Sequence, residues 1–588
     1  MNFTELQYPA PYAIEDGYLG YRSRQPKGRE AFVRLCNFFP FVQSQVLCDN
    51  GLEKHVRVEI GGFKADGTPL PTVTVNDEKF ATLDWIRAAW GYENNLEPGR
   101  SVKDHLRHAI QSTATSALKT FCYEATGWRK IDGQWHFLMP GDSEHTVTLK
   151  GRAVSYGFVR KGDLSALGFA YELAYRVASK EVMLPLLTFV FLSPLNTFLR
   201  QADYEPQTVL MLTGKTGSKK STLAALMLSF FGRFSTSQLP LSFRDTANSI
   251  LKQSFLLKDV LTCVDDYHPS GGRDASDLND KMQKLLRAYG NRCGRGRMNA
   301  HAELMPDYYP QGNAILTAEF LPDVGESGTA RYLCIDLDPQ MVNNEELTRF
   351  QEYAANGVLS YAMFRYTEWL KKEFLNDEED FKNYLLDMHR KACIQLRALS
   401  EEQGVRLRDR LLNDIVSLTI GFEFYTDFLC CEGVVPPDVR IEMQLEFRDV
   451  LLEIAAGQQS KTLFDQPTHV FFRKLLSLID SGRVTVYPKQ DATGNVLFEK
   501  NMIGYEDSER YYLYSDLAHR EVKRLCSEQG ESFSISENGL LKALADELLL
   551  IKGSDGRAKR NVRIGPKTQR LLCLNKLTVQ AIAGEEAR

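Results

Sequence analysis

The most constraining feature of this sequence is an apolar run that ends in a glycine-containing turn and continues as a helix. Residues 208–223 read T-V-L-M-L-T-G-K-T-G-S-K-K-S-T-L. The apolar run is typical of a buried strand, and the residues after the turn have the composition of a helix. Backbone N–H groups in such a turn, together with a helix N-terminus, favour phosphate oxygens. The segment therefore predicts an α/β unit that binds a phosphorylated ligand.

The turn matches the pattern G-x-x-x-x-G-K-S except at one position. Gly214 stands first, Lys220 takes the lysine position, and Ser221 takes the position of the Mg²⁺-binding hydroxyl. Lys219 stands where the pattern has its second glycine, but Gly217 can supply the positive φ of the turn. The amide of Lys219 can still point at phosphate if its backbone stays ordinary. We therefore predict ATP and Mg²⁺ as cofactors. The expected nucleotide contacts are Gly214, Thr216, Gly217, Ser218, Lys219, Lys220, Ser221 and Thr222.

Two later strand-like runs end in polar residues that suit phosphoryl transfer. In L-K-D-V-L-T-C-V-D-D-Y, we expect Asp265 to hold Mg²⁺ with Ser221, and Asp266 to polarise the attacking water. Glutamate is commoner in that second role, and two acids at a strand end are often only part of a turn. The run G-N-A-I-L-T-A-E-F should lie beside the phosphate-binding turn and direct Thr317 or Glu319 at the γ-phosphate.

Three arginines are candidates for contacts to the nucleotide. Arg331 precedes a strand-like run in E-S-G-T-A-R-Y-L-C-I-D-L-D. In ring ATPases an arginine at that place often reaches the neighbouring subunit's nucleotide, and a structural ion pair is the alternative. Arg408 and Arg410 open the helix D-R-L-L-N-D-I-V-S-L and are candidates for a second sensor.

The formal net charge is -5, so any nucleic-acid contact must come from local basic patches. One patch holds six basic and no acidic residues between Lys281 and Arg297, and its end, R-C-G-R-G-R, resembles an exposed loop or hairpin tip. The predicted DNA contacts there are Arg292, Arg295 and Arg297. A solvated charged loop is the alternative.

A second basic patch lies near the C-terminus. The order is helix, helix, then L-L-L-I-K and N-V-R-I-G as a hairpin around G-S-D-G-R, which suits a winged helix. Its predicted contacts to the phosphate backbone are Arg557, Lys559 and Arg560. An ordinary charged wing is the alternative.

The chain is too long, at 588 residues, for one hydrophobic core. We predict an α+β accessory domain at 1–180, a P-loop ATPase core at 181–345, a helical lid at 346–490 and a winged-helix-like domain at 491–588. The apolar stretch 181–200 approaches membrane-spanning length, but Pro185, Pro194 and Asn196 favour a buried helical pair. No membrane association is expected.

Cysteine and tryptophan positions add little that is specific. The eleven cysteines include no C-x-x-C pair, which suits reduced thiols, a cytoplasmic location and no zinc-ligand cluster. The tryptophans of the N-terminal part could stack on bases, and core packing is the simpler interpretation. These are Trp85, Trp90, Trp128 and Trp135.

The core elements, in this order, resemble an AAA+ ATPase. The wider pattern resembles a domain-of-unknown-function family of primase-helicases from prophages and integrative elements, related to the self-loading helicases of staphylococcal cassette chromosomes. The plan is also similar to that of the minichromosome-maintenance helicases. The likeness rests on L-P-T-V-T-V, W-I-R-A-A-W-G, A-T-G-W-R-K-I-D-G-Q-W, T-G-S-K-K-S-T-L-A-A-L, F-R-D-T-A-N-S-I-L, V-D-D-Y-H-P, T-A-E-F-L-P and E-S-G-T-A-R.

This resemblance implies a homo-hexameric ring that threads single-stranded or forked DNA, with the basic loop before the Thr317 strand as a pore hairpin. It also implies a primase or initiator partner, although no primase acid constellation is present. The leading hypothesis is an ATP-dependent helicase or translocase of a mobile element or prophage. The alternatives are an ATP-switched loader, defence or assembly ATPase that does not unwind DNA, and a DNA-binding initiator in which the nucleotide is structural.

Overall fold

A computed structural model describes residues 3–24, 30–269, 272–294, 297–298, 304–305, 307–322, 324–405, 407–489, 501–529, 531, 533 and 535–584. The chain forms two compact units, Met1–Val154 and Ser155–Arg588. The first unit therefore ends earlier than the predicted domain boundary at 180. The reason is packing: the helix Ser165–Arg176 contacts helices of the second unit.

The first unit is an α+β structure built on mainly antiparallel strands, with one parallel pair between β4 and β7. One sheet has the order β1-β2-β3, another β6-β5-β4-β7, and β8 pairs with β9 as a hairpin. The predicted tryptophan stacking platforms are instead buried side chains, which confirms the interpretation as core residues. The strands are β1 Tyr12–Glu15, β2 Tyr18–Arg24, β3 Glu30–Cys36, β4 Phe38–Asp49, β5 Lys54–Lys64, β6 Pro69–Val75, β7 Leu118–Tyr123, β8 Gly127–Ile131 and β9 Gln134–Leu138. The helices are α1 Asp77–Thr82, α2 Asp84–Trp90 and α3 Val102–Ser112.

The second unit begins with helices that form the centre of its core. They are α4 Ser165–Arg176, α5 Lys180–Leu192 and α6 Asn196–Gln201. The stretch Lys180–Gln201 has the length and mean hydropathy of a membrane span, yet the whole of its most apolar window is buried inside the unit. This agrees with the predicted buried helical pair, since a core helix shows the same composition.

A five-stranded parallel sheet follows, as the alternating pattern predicts. Its order is β11-β12-β15-β10-β16, so the strand of Thr317 lies between the strand before the glycine turn and the strand that carries Asp265. The strands of this region are β10 Val209–Thr213, β11 Leu241–Ser242, β12 Leu261–Tyr267, β13 Arg297–Met298, β14 Leu304–Met305, β15 Asn313–Ala318 and β16 Tyr332–Asp336. The helices are α7 Lys220–Leu228, α8 Ala247–Leu256, α9 Gly272–Asn291 and α10 Gly325–Thr329.

Long helices cover residues 344–480, as helical periodicity predicts. They are α11 Asn344–Ala355, α12 Val358–Phe374, α13 Glu378–Glu402, α14 Asp409–Cys431, α15 Pro437–Phe464 and α16 Pro467–Asp480. The close approach of α14 to α5 requires a glycine, because a Cβ at Gly421 would lie 2.8 Å from the Cβ of Leu192. This helical layer thereby shares the core that begins at α5.

The C-terminal region has a mixed sheet of order β17-β18-β19-β21-β20, with two helices before its last hairpin. Helix α16 packs against this region, which therefore begins before the predicted boundary at 491. The strands are β17 Thr485–Pro488, β18 Met502–Glu506, β19 Arg510–Leu513, β20 Lys559–Ile564 and β21 Lys567–Asn575. The helices are α17 Ser515–Glu528, α18 Glu537–Asp546 and α19 Lys576–Gly584.

The predicted hairpin around G-S-D-G-R is wrong in its pairing. The observed hairpin joins β20 to β21 across Gly565 and Pro566. The run L-L-L-I-K instead contributes Leu550 to the hydrophobic core. The G-S-D-G-R segment closes a tight turn through a 2.9 Å bond from Gly553 N to Arg557 O. The segment therefore packs through Leu550 and does not pair as a strand of the predicted hairpin.

Candidate phosphate-binding site

A cleft of about 340 Å³ lies at the carboxyl ends of β10, β12 and β15. Clefts outside the carboxyl ends of parallel strands are the usual ligand sites of such sheets. Most of the sequence-predicted site residues lie in its wall. The lining residues are Thr216, Gly217, Lys219, Lys220, Ser221, Thr222, Asp266, Tyr267, Thr317, Ala318 and Glu319.

The turn between β10 and α7 has unusual backbone geometry at three positions. Gly214 cannot carry a side chain, because a Cβ there would lie 2.3 Å from Leu337 O and 2.8 Å from Ser218 Oγ. Gly217 has φ +87°, as the sequence predicts. Lys219 also has a left-handed backbone, with φ 71° and ψ 16°, just before α7 begins. The condition of an ordinary backbone at Lys219 is therefore not met, and the turn retains the conformation that glycine would adopt more readily.

The ammonium group of Lys220 lies inside this turn. Its Nζ donates to Gly214 O at 2.5 Å and to Lys215 O at 3.1 Å. Burial lowers the pKa of Lys220, while the carboxylates of Glu319 and Asp265 oppose that shift. The lysine is thus a partly desolvated cation held by backbone carbonyls, and it can turn toward an anionic ligand at little structural cost.

Hydroxyl groups from α7 and β15 converge on Asp265. Ser221 Oγ donates to Asp265 Oδ1 at 2.7 Å, and Thr317 Oγ1 donates to the same oxygen at 2.6 Å. The sequence separates these residues by 44 and 52 positions, and the parallel sheet brings them together. A carboxylate and a serine hydroxyl at this distance fit a hydrated Mg²⁺ ion, which prefers oxygen ligands and keeps several waters.

A β-bulge directs Asp265 and Asp266 differently. The register of β12 on β15 shifts between Val264 and Tyr267, and Asp266 has φ 71°. Asp266 N donates to Thr317 Oγ1 at 3.0 Å, while its carboxylate lies 3.0 Å from Arg244 Nη2. The bulge therefore turns the two acids away from each other.

Glu319 is the second carboxylate of the cleft. Thr216 donates a hydrogen bond to its Oε1, and His268 Nδ1 lies 2.7 Å from its Oε2. The hydrogen bond from Thr216 holds the pKa of Glu319 below its usual value, and the charges of His268 and Lys220 act in the same direction. Glu319 is consequently ionised at neutral pH, facing the lysine across the cleft.

Arg331 lies at the opposite edge of the sheet. It precedes β16, whose first residue Tyr332 pairs with Val209 at the start of β10, whereas the glycine turn follows Thr213 at the end of β10. The separation along the strands is about 15 Å at roughly 3.3 Å per residue. Arg331 therefore does not contact the phosphate-binding turn of its own subunit.

Two other arginines share that edge with Arg331. Arg410 Nη2 donates to Gly290 O at 2.8 Å, and burial, together with the positive charges of Arg410 and Arg287, lowers the pKa of Arg331. The Nε atoms of Arg331 and Arg410 are buried and have no hydrogen-bond partner among the described residues. We call Arg287, Arg331 and Arg410 the arginine cluster.

Arg408 lies near the cluster but is paired, with its Nη1 2.6 Å from Glu326 Oε1. Neither Arg408 nor Arg410 lies at the turn of the same subunit, so their predicted sensor role within one subunit has no geometric support. Their role as a second sensor stays a prediction.

The predicted DNA contact Arg292 is wrong. Its side chain is only 6% exposed, and it donates to the carbonyl oxygens of Pro206 and Gly312 at 2.7 and 2.8 Å. It also lies 3.5 Å from Glu205 Oε1. The sequence pattern of basic residues did not reveal that this arginine closes the end of α9 against the loop before β15.

The other DNA candidates stay predictions. Arg295 lies outside the described residues, and Arg297 is described only as part of the short strand β13. Arg557 is 68% exposed beside Asp555, Lys559 Nζ is 2.9 Å from Glu537 Oε1, and Arg560 lies on β20.

No protein-family model and no curated relative matches the sequence. Among solved structures, one described as "SCCmec type IV Cch - active helicase" aligns with 99% of this chain and 100% of that chain, at 13% identity and a TM-score of 0.54. The chain therefore shares the fold of that helicase. A structure of JCV helicase with a bound thiazolopyridine compound aligns with 39% of this chain and 65% of that chain, at 13% identity and a TM-score of 0.22, which is too low to support an argument.

Sequence patterns did not indicate Arg244 or His268 as site residues. Arg244 follows β11, which lies beside β12 only because of the sheet order, and His268 follows Tyr267, just after the two acids. The signal that would have revealed Arg244 is its position: it is a charged residue at the end of an apolar run that can pair with the strand of Asp265.

The left-handed backbone at Lys219 predicts a stabilising substitution. Lys219→Gly should raise the free energy of unfolding by about 1 kcal/mol, because glycine adopts φ 71° without the Cβ clash. Thermal unfolding of the two proteins measures the change. Lys215→Gly is the matched control: Lys215 has no positive φ, and glycine there should not stabilise. Equal stability of Lys219→Gly and the wild type would contradict the assignment.

The burial of Arg292 predicts a stability defect in place of a specific DNA-binding defect. Arg292→Ala should lower the free energy of unfolding by about 3 kcal/mol, because Glu205 loses one of its cations and several buried carbonyls lose a donor. Chemical denaturation of Arg292→Ala and of the exposed control Arg557→Ala tests this. A stable Arg292→Ala protein with weakened DNA binding would restore the sequence-based prediction.

Proposed function

We propose that this protein is an ATP-dependent DNA helicase or translocase. The observation that carries the proposal is the convergence of Ser221 and Thr317 on Asp265, beside Lys220 at the end of a glycine turn. The shared fold with a solved helicase supports the same class of activity.

In this proposal the cleft holds the triphosphate of ATP. Lys220 leaves the carbonyls of Gly214 and Lys215 and contacts the β- and γ-phosphates, since an anion offers its ammonium group a better partner than neutral carbonyls. Asp265 and Ser221 hold Mg²⁺, which would neutralise charge on the phosphates. Thr317 keeps Asp265 in place through its 2.6 Å hydrogen bond.

A water that attacks the γ-phosphate needs a nearby carboxylate to orient it. Glu319 faces Lys220 across the cleft and is ionised, which suits this role. Asp266 also lines the cleft, but its carboxylate is engaged with Arg244. Glu319 is also paired, with Thr216 and His268, but it is the one of the two whose charge acts on Lys220, and we therefore assign the orienting role to it.

The arginine cluster supports a site shared between subunits. The positive charges of Arg287 and Arg410 repel that of Arg331, and an anion nearby would offset this repulsion. The Nε atoms of Arg331 and Arg410 also lack hydrogen-bond partners among the described residues. The phosphate groups of ATP bound to an adjacent copy are a suitable anion. A closed homo-oligomer, with six copies as the expected number, would supply every cleft with a neighbour's Arg331.

Hydrolysis would then move a DNA-gripping loop, for which Arg295 and Arg297 are the candidate residues, along single-stranded or forked DNA. We also propose that the protein acts in the replication of a mobile genetic element, together with a primase or an initiator protein.

An ATP-switched loader or assembly ATPase is the second candidate. The specific observation in its favour is that both carboxylates of the cleft are engaged, Asp266 with Arg244 at 3.0 Å and Glu319 with His268 at 2.7 Å, because a paired carboxylate activates water poorly. Slow hydrolysis without strand separation would distinguish this candidate from the helicase.

Hydrolysis of ATP should depend on Lys220 and respond to DNA. We expect the hydrolysis rate of the wild type to rise several-fold with single-stranded DNA. Lys220→Ala should reduce the rate at least about 100-fold, because the phosphates lose the positive charge that the lysine places beside them. Lys215→Ala, in the same turn but absent from the cleft lining, is the control and should retain most of the rate. Equal rates of Lys220→Ala and the wild type would exclude the cleft as the hydrolytic site.

Mixed oligomers test the shared site. If Arg331 acts on the neighbouring nucleotide, Arg331→Ala subunits added to the wild type should reduce hydrolysis by more than their share of the mixture. Arg520→Ala, an exposed arginine on α17, is the control and should leave the wild-type rate unchanged. A wild-type rate that added Arg331→Ala subunits leave untouched would contradict the shared site.

A further inference from the structure

Three metal-ligating side chains meet in the first compact unit, away from any role in the proposed ATPase. His136 lies on β9, and Glu144 and His145 lie on the loop that follows. One ligand atom from each lies within 4.8 Å of the other two. His136 Nδ1 is 3.7 Å from Glu144 Oε2, and the two imidazole centroids are 4.6 Å apart with nearly perpendicular planes.

The environment of His145 supplies a second observation. Its Nε2 is buried and has no hydrogen-bond partner among the described residues. Buried polar nitrogens are nearly always paired, so this atom calls for a partner. The ring of Tyr123 packs edge-on against the imidazole at 5.9 Å and helps to fix its orientation.

The arginine across the strand pair from His136 is paired with another carboxylate. Arg129 is the cross-strand neighbour of His136, but its Nη2 lies 2.5 Å from Asp49 Oδ2. The positive charge of Arg129 is therefore balanced by Asp49.

We propose that His136, Glu144 and His145 bind one divalent transition-metal ion, with zinc as the expected occupant. Two imidazoles and one carboxylate form a ligand set that zinc accepts, and water can complete a tetrahedron. Bonds of about 2.0–2.2 Å require the ligand atoms to move closer together. Glu144, which is 72% exposed, has the freedom to do so. The ion would tie the β8–β9 hairpin to the loop after it.

A second group in the same unit provides a matched control. Cys48, His55 and Glu124 also lie within 4.8 Å of one another. There, however, Arg57 Nε donates to Cys48 Sγ at 2.9 Å, and Arg57 Nη1 is 3.6 Å from Glu124 Oε1. A guanidinium already serves as the cation of this group, so we expect no metal ion in it.

The test measures zinc bound to the full-length, untagged protein after chelator treatment and dialysis against micromolar zinc. We expect about one zinc per chain in the wild type. The double variant His136→Ala/His145→Ala should lose this equivalent, and Cys48→Ala/His55→Ala should retain it.

Circular dichroism of the zinc-free proteins distinguishes loss of the site from loss of the fold. The milder variant Glu144→Gln removes only the ligand charge and should weaken binding at least about tenfold without altering the spectrum. A wild type that binds no zinc, or a folded double variant that binds as much zinc as the wild type, would overturn the proposal. This result is independent of ATP hydrolysis, since the ligands lie in the other compact unit.

Discussion

The carboxylate of Asp265 is the point on which the geometry of the cleft depends. One of its oxygens accepts hydrogen bonds from Ser221 on α7 and from Thr317 on β15. Those two hydroxyls belong to segments that are far apart in the sequence. They meet because β15 lies between β10 and β12 in the sheet. Loss of the carboxylate would leave both hydroxyls without their acceptor and remove the side-chain link between α7 and β15.

Strain and charge in the cleft are arranged around that contact. Two residues near this contact have a left-handed backbone: Lys219, two positions before Ser221, and Asp266, directly after Asp265. Such backbone conformations cost free energy unless the surrounding structure fixes them. The partly buried Lys220 experiences the negative charges of Asp265 and Glu319, which oppose the effect of its burial on its pKa. Under the proposed function, the turn is ordered before phosphate binds, and little of the binding free energy is needed to order it.

The sequence predicts the core of this arrangement well for a physical reason. The glycine turn, the acid-ended strand and the intervening strand are each local patterns, and parallel strands place their carboxyl ends at one edge. Long-range contacts were beyond the same reasoning. In the sequence Arg292 has the pattern of an exposed basic residue, but in the fold it is buried beside Glu205. The side chains of His136, Glu144 and His145 come together without any regular spacing in the sequence. The boundary at Val154 depends on which core α4 joins, which helical periodicity cannot decide.

The arginine cluster connects the cleft to assembly. Arg331 and Arg410 keep buried Nε atoms without partners among the described residues, at the sheet edge opposite the glycine turn. Arg331 donates to Ser327 and Arg410 donates to Gly290, but these neutral oxygens do not balance the positive charges, so an anion would stabilise the cluster. Under the proposed function that anion belongs to an adjacent copy, and ATP then contributes to binding between subunits as well as to binding within one. Hydrolysis and release of phosphate would remove the compensating charge, which weakens the contact at the moment when a translocating ring must let one subunit move relative to the next.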